Sequence, residues 1–252
     1  TNADDMQFRW GTEAIQPDSR HPKYRSSYTA TGGGSYMSNS LMDYMRGGPD
    51  GGYDIGGGVF IGDPRIMFYY YRQTNPTPGI GGAAPDEEVL ECGLQNAPAH
   101  YAGYVFCGNP QGWWGRDHGN DNGIPPDGFL RTLAGVYPGG GKLDDWSYGG
   151  QQDGAGNGGN GITPIMLASW TDFMIGEVEL VAGNEAAAKT AMFAGMAKSM
   201  DKVTNFYPRE AGNRFDVIMN FYFGGLVQVV NGFYDRISDE WDDASDKMNV
   251  VG

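Results

Sequence analysis

Glycine is concentrated in one part of this chain, and its placement limits the folds that the sequence can adopt. Of the 42 glycines in 252 residues, 33 lie between Gly32 and Gly161, whereas roughly 7% glycine is usual for a whole protein. The excess has no collagen-like period, and the aromatic residues between the glycines argue for packed irregular structure. The sequence therefore predicts a Gly-rich, loop-dominated ligand- or partner-facing region with minor α and β structure at 1–161, and a helical scaffold region at 162–252.

The longest irregular segment runs from Cys107 to Tyr148. Loops of this length are usually either functional or disordered, and this one carries too much aromatic surface to remain solvated. We expect an ordered loop held on a helical scaffold. Its aromatic rings could stack on a sugar or cap an apolar ligand, or they could form the core of the loop itself, in which case at least half would be buried. The candidate ligand-binding residues are Trp113, Trp114, Trp146 and Tyr148.

The same loop holds a cluster of oxygen ligands that could bind Ca²⁺. The candidate metal ligands are Asp117, Asn120, Asp121, Asn122 and Asp127, all within eleven residues. Carboxylate and amide oxygens on a supple backbone suit Ca²⁺, although the spacing is not that of an EF-hand. Turn chemistry, in which short polar side chains bond their own backbone, explains the same composition. Ca²⁺ is thus a candidate cofactor and both interpretations stay open.

Two cysteines, Cys92 and Cys107, enclose a loop of 16 residues in the region that most needs a covalent link. A disulfide there would stabilise the fold by about 3 kcal/mol in the chain-entropy model and would indicate an oxidising compartment. The alternative is two unrelated buried thiols.

Charge and motif content exclude several function classes. A net charge of −14 argues against nucleic acid, which needs clustered Lys and Arg, and against attachment to an anionic membrane through basic patches. No nucleophile elbow, zinc-protease motif, P-loop or dinucleotide fingerprint occurs. Adjacent acids such as Asp144-Asp145 are explained by surface solvation. We therefore expect a protein without enzymatic activity.

Local patterns predict a few elements in the Gly-rich region. Residues Ser38 to Arg46 predict a short helix that Ser38 or Asn39 caps and Gly47-Gly48 ends. The runs Val59–Ile61 and Ile66–Tyr71 read as an extended pair, because the second is rich in aromatic residues.

The hydrophobic period changes abruptly near Thr163. A helix is predicted from Ile165 to Ala182 with Thr163 as N-cap and Pro164 in its first turn. A second helix, Glu185 to Val203, completes an antiparallel hairpin. A third helical segment begins near Asn213, and its glycines at 224, 225 and 232 kink or break it.

Three motifs resemble the SusD/RagB family of outer-membrane nutrient-binding lipoproteins. The first is the segment 162–184, which matches the family helix at Pro164, Met166, Phe173, Glu177 and Gly183. The second is Asp63-Pro64-Arg65. The third is GRDHGNDNGIPPDG followed by GVYP at 135–138.

The resemblance implies a mainly α fold: a SusD-like helical scaffold with tetratricopeptide-like hairpins, long irregular loops and minor β structure. It also implies a cell-surface protein of the outer membrane that captures an oligosaccharide or peptide and delivers it to a SusC-like TonB-dependent transporter. Family members are about twice this length, so we expect a partial chain without the N-terminal lipid anchor. The family's binding residues lie on variable loops and none can be transferred. A secreted Ca²⁺-dependent glycan-active hydrolase is the alternative function.

Overall fold

The computed structural model describes residues 1–29, 35–48, 53–54, 59–60, 62–74, 109, 111–113, 115–116 and 131–251. For 53–54 and 59–60 it describes the backbone alone. Over this part of the chain the protein is mainly helical with a minor sheet component, as the sequence predicts.

Two long helices form the predicted antiparallel hairpin, α4 at Ala168–Val181 and α5 at Glu185–Thr204. Gly183 takes a φ of 81° directly after the α4 C-cap, a conformation that costs glycine nothing. Helix α5 begins with an acid and carries Lys202 in its last turn, which matches the helix dipole at both ends.

The two helices approach each other closely because small residues line the contact. A Cβ atom on Gly195 would lie 3.0 Å from the Ser169 carbonyl oxygen, and one on Gly176 would lie 3.4 Å from the Ala188 carbonyl oxygen. Met192, Met196 and Met200 lie on the buried face of α5, and they pack with side chains of the following helices.

The third helical segment is divided in two, as its glycines predict. Helix α6 is Arg214–Phe223 and helix α7 is Leu226–Asp243, and a short α8 follows at Met248–Val251. Gly224 and Gly225, with φ of 73° and 107°, make the break, whereas Gly232 continues inside α7.

The predicted start of the first hairpin helix is wrong. Ile162–Met166 is strand β6, and it pairs antiparallel with strand β1 at Met6–Arg9. The helix begins only at Ala168, where the backbone N–H of Ala168 donates to Asp5 Oδ1 at 2.7 Å. A distant carboxylate therefore takes the capping role that we assigned to Thr163, because the N-terminal strand lies beside the segment.

The predicted pairing of Val59–Ile61 with Ile66–Tyr71 is wrong, although part of each run is extended. Val59–Phe60 is strand β3, and its partner is β2 at Tyr53–Asp54. Ile66–Tyr69 is a single helical turn, α3, and only Tyr70–Tyr71 (β4) is extended. Strand β4 pairs with β5 at Leu133–Ala134. The prediction failed because the successive side chains Ile66–Phe68 are all buried on one helical turn, and such a run has no alternating pattern that separates a turn from a strand.

Two further helices lie in the first region: α1 at Pro22–Tyr28 and α2 at Asn39–Arg46. The Ser38 side chain caps α2 and Gly47 ends it at a φ of 96°, which confirms the prediction for this segment. A short 3₁₀ turn, Asn2–Asp4, precedes β1.

The main core is shared by both regions of the chain. Phe68 meets Phe215 of α6 edge to face, with ring centroids 5.2 Å apart, and Tyr137 meets Phe206 in the same way at 5.1 Å. The Gly-rich region therefore packs directly on the helical one.

Candidate binding site

A buried ion pair organises the part of the long loop that the structure describes. Arg72 Nε donates to Asp144 Oδ2 at 2.6 Å, and the two side chains are 1% and 0% exposed. Arg72 Nη1 also donates to the Gln111 carbonyl oxygen at 2.9 Å. The pair connects three segments that are distant in sequence, so it fixes how the loop lies on the scaffold. The interpretation of Asp144 as a solvated surface acid is therefore wrong, because its carboxylate is buried against Arg72.

The predicted aromatic candidates gather around this pair. The Arg72 guanidinium lies 4.5 Å from the ring centroid of Trp113 and 5.3 Å from that of Tyr148. Asp144 Oδ1 accepts from the backbone N–H of Trp146 at 3.1 Å. Trp146 and Tyr148 hold φ values of 56° and 48°, a region that bulky residues rarely adopt, so the surrounding contacts determine the backbone here.

This arrangement corrects part of the predicted ligand platform. Trp113 is 0% exposed, so its face is not available to a ligand, and the reason is that it stacks on a buried cation. Trp146 and Tyr148 are half-buried, with Trp146 packed beside Tyr222 of α6. These rings act mainly as the core of the loop. Trp114, the fourth candidate, lies outside the described residues.

The other predicted site residues also lie outside the described part of the chain: the candidate disulfide Cys92 and Cys107, and the candidate calcium ligands Asp117, Asn120, Asp121, Asn122 and Asp127. Among the residues that are described, no group of three or more His, Cys, Asp or Glu side chains could hold a metal ion.

A polar cavity of about 360 Å³ lies where strand β1, the end of the Gly-rich region and the end of α5 meet. Amide side chains dominate its lining. The lining residues that carry polar side chains are Asn2, Gln7, Arg9, Asn157, Asn160, Asp201, Lys202 and Asn205. Phe206 adds one aromatic ring.

A hydrogen-bond network holds the walls of this cavity in place. Lys202 Nζ donates to Asp5 Oδ2 at 2.6 Å and to Gln7 Oε1 at 2.7 Å. Asn2 Nδ2 donates to the Lys198 carbonyl oxygen at 3.0 Å and to Asp201 Oδ2 at 2.9 Å. Because Asp5 is also the cap of α4, one carboxylate fixes both the hairpin and the cavity wall.

Several lining groups keep unused hydrogen-bonding capacity. Asn2 Oδ1 is buried and accepts no hydrogen bond from any described group, which is costly for a carbonyl oxygen removed from water. Arg9 is exposed and makes no ion pair with a described residue. Asn157 Nδ2 donates to the Asn160 carbonyl oxygen at 2.8 Å, so its Oδ1 can still accept. The cavity therefore offers preformed donors and acceptors side by side.

Two further cavities adjoin the first along the Gly-rich segment. One of about 610 Å³ shares Asn157 with it, and one of about 350 Å³ shares Gly156 and Tyr207 with the second. Tyr207 is half-buried, so part of its surface borders both spaces. Together the three cavities form a row, which we call the polar groove.

The wall of the second cavity is charged but internally neutralised. Arg20 bonds Asp18 through Nε at 3.0 Å and Nη2 at 2.8 Å, and Asp153 through Nη1 at 2.6 Å. These hydrogen bonds from Arg20 lower the pKa of Asp18 to about 2. Because the Arg20 guanidinium is paired with both acids, the described residues of this wall present no free cation to attract an anionic ligand.

The sequence interpretation missed the polar groove. Its residues come from positions 2–20, 142–162 and 201–215, and no local motif joins them. The one available signal was Asn157 and Asn160 within GNGGNG, where repeated amides sit on a backbone that can approach a ligand closely.

Comparisons with known proteins add no relative: no family model, no curated protein and no solved structure matches this chain. None of the helices in the described part of the chain is long and apolar enough to cross a membrane.

Proposed function

We propose that this chain is a nutrient-binding protein of the SusD/RagB type, which captures an oligosaccharide and delivers it to a SusC-like TonB-dependent transporter at the outer-membrane surface. The observation that carries the binding role is the polar groove, with its amide-rich first cavity. The helical hairpin of α4 and α5 is the unit that a tetratricopeptide-like scaffold would repeat, and the loops that line the groove extend from it.

The chemistry of the first cavity favours an oligosaccharide over a peptide. Each sugar hydroxyl both donates and accepts, and an amide side chain offers a donor and an acceptor on one planar group. Asn157, Asn160 and Asn205 supply such groups around a single aromatic ring, Phe206. A peptide that adds as a strand needs apolar pockets for alternate side chains as well as a sheet edge. Although β1 and β6 are edge strands of their sheet, the described lining of this cavity is mainly polar.

The proposed mechanism is retention without bond cleavage. The ligand would accept from the exposed Arg9 guanidinium, which makes no ion pair with a described residue, and would bond the side-chain amides of Asn157 and Asn160. The hydrogen bonds of Asn2 and Lys202 hold the neighbouring wall in position. Little side-chain entropy is then lost on binding, because most of the lining is already ordered.

Isothermal titration with a panel of neutral oligosaccharides and peptides tests this proposal. We expect an oligosaccharide to bind, and Arg9→Ala and Asn160→Ala each to weaken it by about 10-fold, the loss of roughly one hydrogen bond to a charged or polar group. Lys189→Ala is the matched control, because Lys189 pairs with Asp242 and lines none of the three cavities.

Two outcomes would contradict the proposal. If Arg9→Ala and Lys189→Ala bind the ligand equally well, the ligand does not occupy the groove. If the chain releases reducing ends from a glycan and EDTA stops the release, the alternative of a Ca²⁺-dependent hydrolase replaces it.

A further inference from the structure

Helix α4 is apolar on the side that faces away from the rest of the protein. Its buried residues are Ser169 and Gly176, which meet α5. The opposite side carries five large apolar side chains at helical spacing: Trp170, Met174, Ile175, Val178 and Val181, exposed by 41%, 44%, 46%, 66% and 81%. A surface helix normally turns polar residues outward, and one that is apolar all round is normally covered.

The charges on α4 do not interrupt this apolar face. Asp172 forms an ion pair with Lys198 of α5 at 2.6 Å, and Glu179 accepts from the Asn184 side chain at 2.8 Å. Glu177 is exposed, but at about 100° per residue it lies at the edge of the apolar face. Thr171 is the exposed polar residue on this side, and at about 100° per residue it lies between Val178 and Ile175. Its side chain is short and carries a methyl group, so the larger apolar side chains still dominate the surface along the helix.

The adjoining sheet extends the same surface. In β1 the Gln7 side chain accepts from Lys202 of α5, so Met6 and Phe8 point the other way and are 59% and 54% exposed. Ile165 and Met166 of β6 are 55% and 43% exposed. Helix α4 contacts α5 through Ser169 and Gly176, and the sheet contacts α5 through Gln7. The opposite side of each therefore faces away from α5.

The size of this surface matches one half of a stable protein interface. Aromatic side chains offer about 150–250 Å² and Met, Ile and Val lie near or below the lower value, so the nine exposed fractions amount to roughly 700 Å². The largest apolar patch on a monomer is usually about 300–600 Å², whereas a standard interface buries about 800 Å² per partner.

We propose that the occupant of this surface is a second copy of the chain, paired through α4 about a two-fold axis. In an antiparallel crossing centred between Met174 and Val178, Trp170 meets the partner's Val181 and Met174 meets the partner's Val178. Each large side chain then faces a smaller one, as interdigitated packing requires, and the contact is self-complementary, as a two-fold interface must be. The four side chains that meet in this crossing carry no charge, so their contact buries no cation or acid without a partner.

Sedimentation velocity of the 252-residue chain between 1 and 100 µM tests this inference. We expect a species of twice 27.3 kDa, and Val178→Asp should weaken the association by at least 10-fold. Val178 is 66% exposed, so the fold should tolerate the change, and an unaltered melting temperature checks this. Phe221→Asp is the matched control, because Phe221 is 79% exposed on α6, outside the proposed interface.

Three results would overturn the inference. A monomer at 100 µM would assign the surface to a different protein. A Val178→Asp variant that associates as strongly as Phe221→Asp would place the interface elsewhere. Association weakened equally by both variants would indicate general stickiness of exposed apolar residues.

Discussion

The buried pair of Arg72 and Asp144 should behave as a coupled unit. Replacing Arg72 with Met leaves the Asp144 carboxylate 0% exposed and without the guanidinium that bonds it at 2.6 Å. Breaking a buried pair from one side costs about 3–5 kcal/mol, and we expect the upper part of that range because both side chains are almost completely buried. Asp144→Asn should cost a similar amount, since the buried Arg72 cation then loses the carboxylate that bonds its Nε.

The double variant Arg72→Met/Asp144→Asn separates the pair from its surroundings. It removes both charges of this pair, and the Asn oxygen can still accept from the Trp146 N–H that bonds Asp144 at 3.1 Å. We therefore expect its cost to resemble that of one single variant, about 3–5 kcal/mol, and not the sum of both. Non-additivity of this kind is the measure of direct interaction.

Equilibrium unfolding in urea, followed by far-UV circular dichroism and tryptophan fluorescence, measures these free energies. The control pair is Lys189 and Asp242, which are 29% and 65% exposed and whose removal should cost less than about 1 kcal/mol. If Arg72→Met costs no more than Lys189→Met, or if the double variant costs the sum of the singles, the pair does not organise the loop as we describe.

Three other predictions concern two helical glycines, the protonation of His21 and the predicted binding of Ca²⁺. Gly232→Ala should stabilise α7 by about 0.5–1 kcal/mol, because no described atom lies within 4 Å of the added Cβ. Gly195→Ala should give no gain in stability, because its Cβ would press on the α4 backbone. Thermal unfolding of both variants compares them. Burial lowers the pKa of His21, which caps α1 by accepting from the Lys23 N–H at Nδ1. The unfolded chain therefore takes up the proton first as the pH falls through about 6.5. The free energy of unfolding should decrease below that pH in the wild type, and less steeply in His21→Asn. Equal slopes of this free energy against pH, measured by urea unfolding between pH 7 and 5, would contradict this. If Ca²⁺ occupies the loop around Asp121, EDTA should lower the melting temperature and Asp121→Ala should abolish that response, while no response to EDTA would favour turn chemistry.

The sequence by itself determined the elements whose signals are local. Helix α5 and the break at Gly224-Gly225 follow from periodicity, caps and glycine, because each depends on interactions within a few residues along the chain. The cap at Ser38 belongs to the same class. The mainly helical composition follows from these segments as well.

Only the tertiary structure decided what depends on distant partners. Residues 162–166 continue the hydrophobic pattern of the helix, yet they pair with β1 in a sheet. The helix then begins three residues later than predicted, where Asp5 caps it. The aromatic residues of the long loop also read as a ligand platform, but a buried cation at Arg72 turns Trp113 inward. The polar groove joins the N-terminus to the end of α5, a separation of about 200 residues, and no pattern within one segment can report a cavity whose walls meet only after folding.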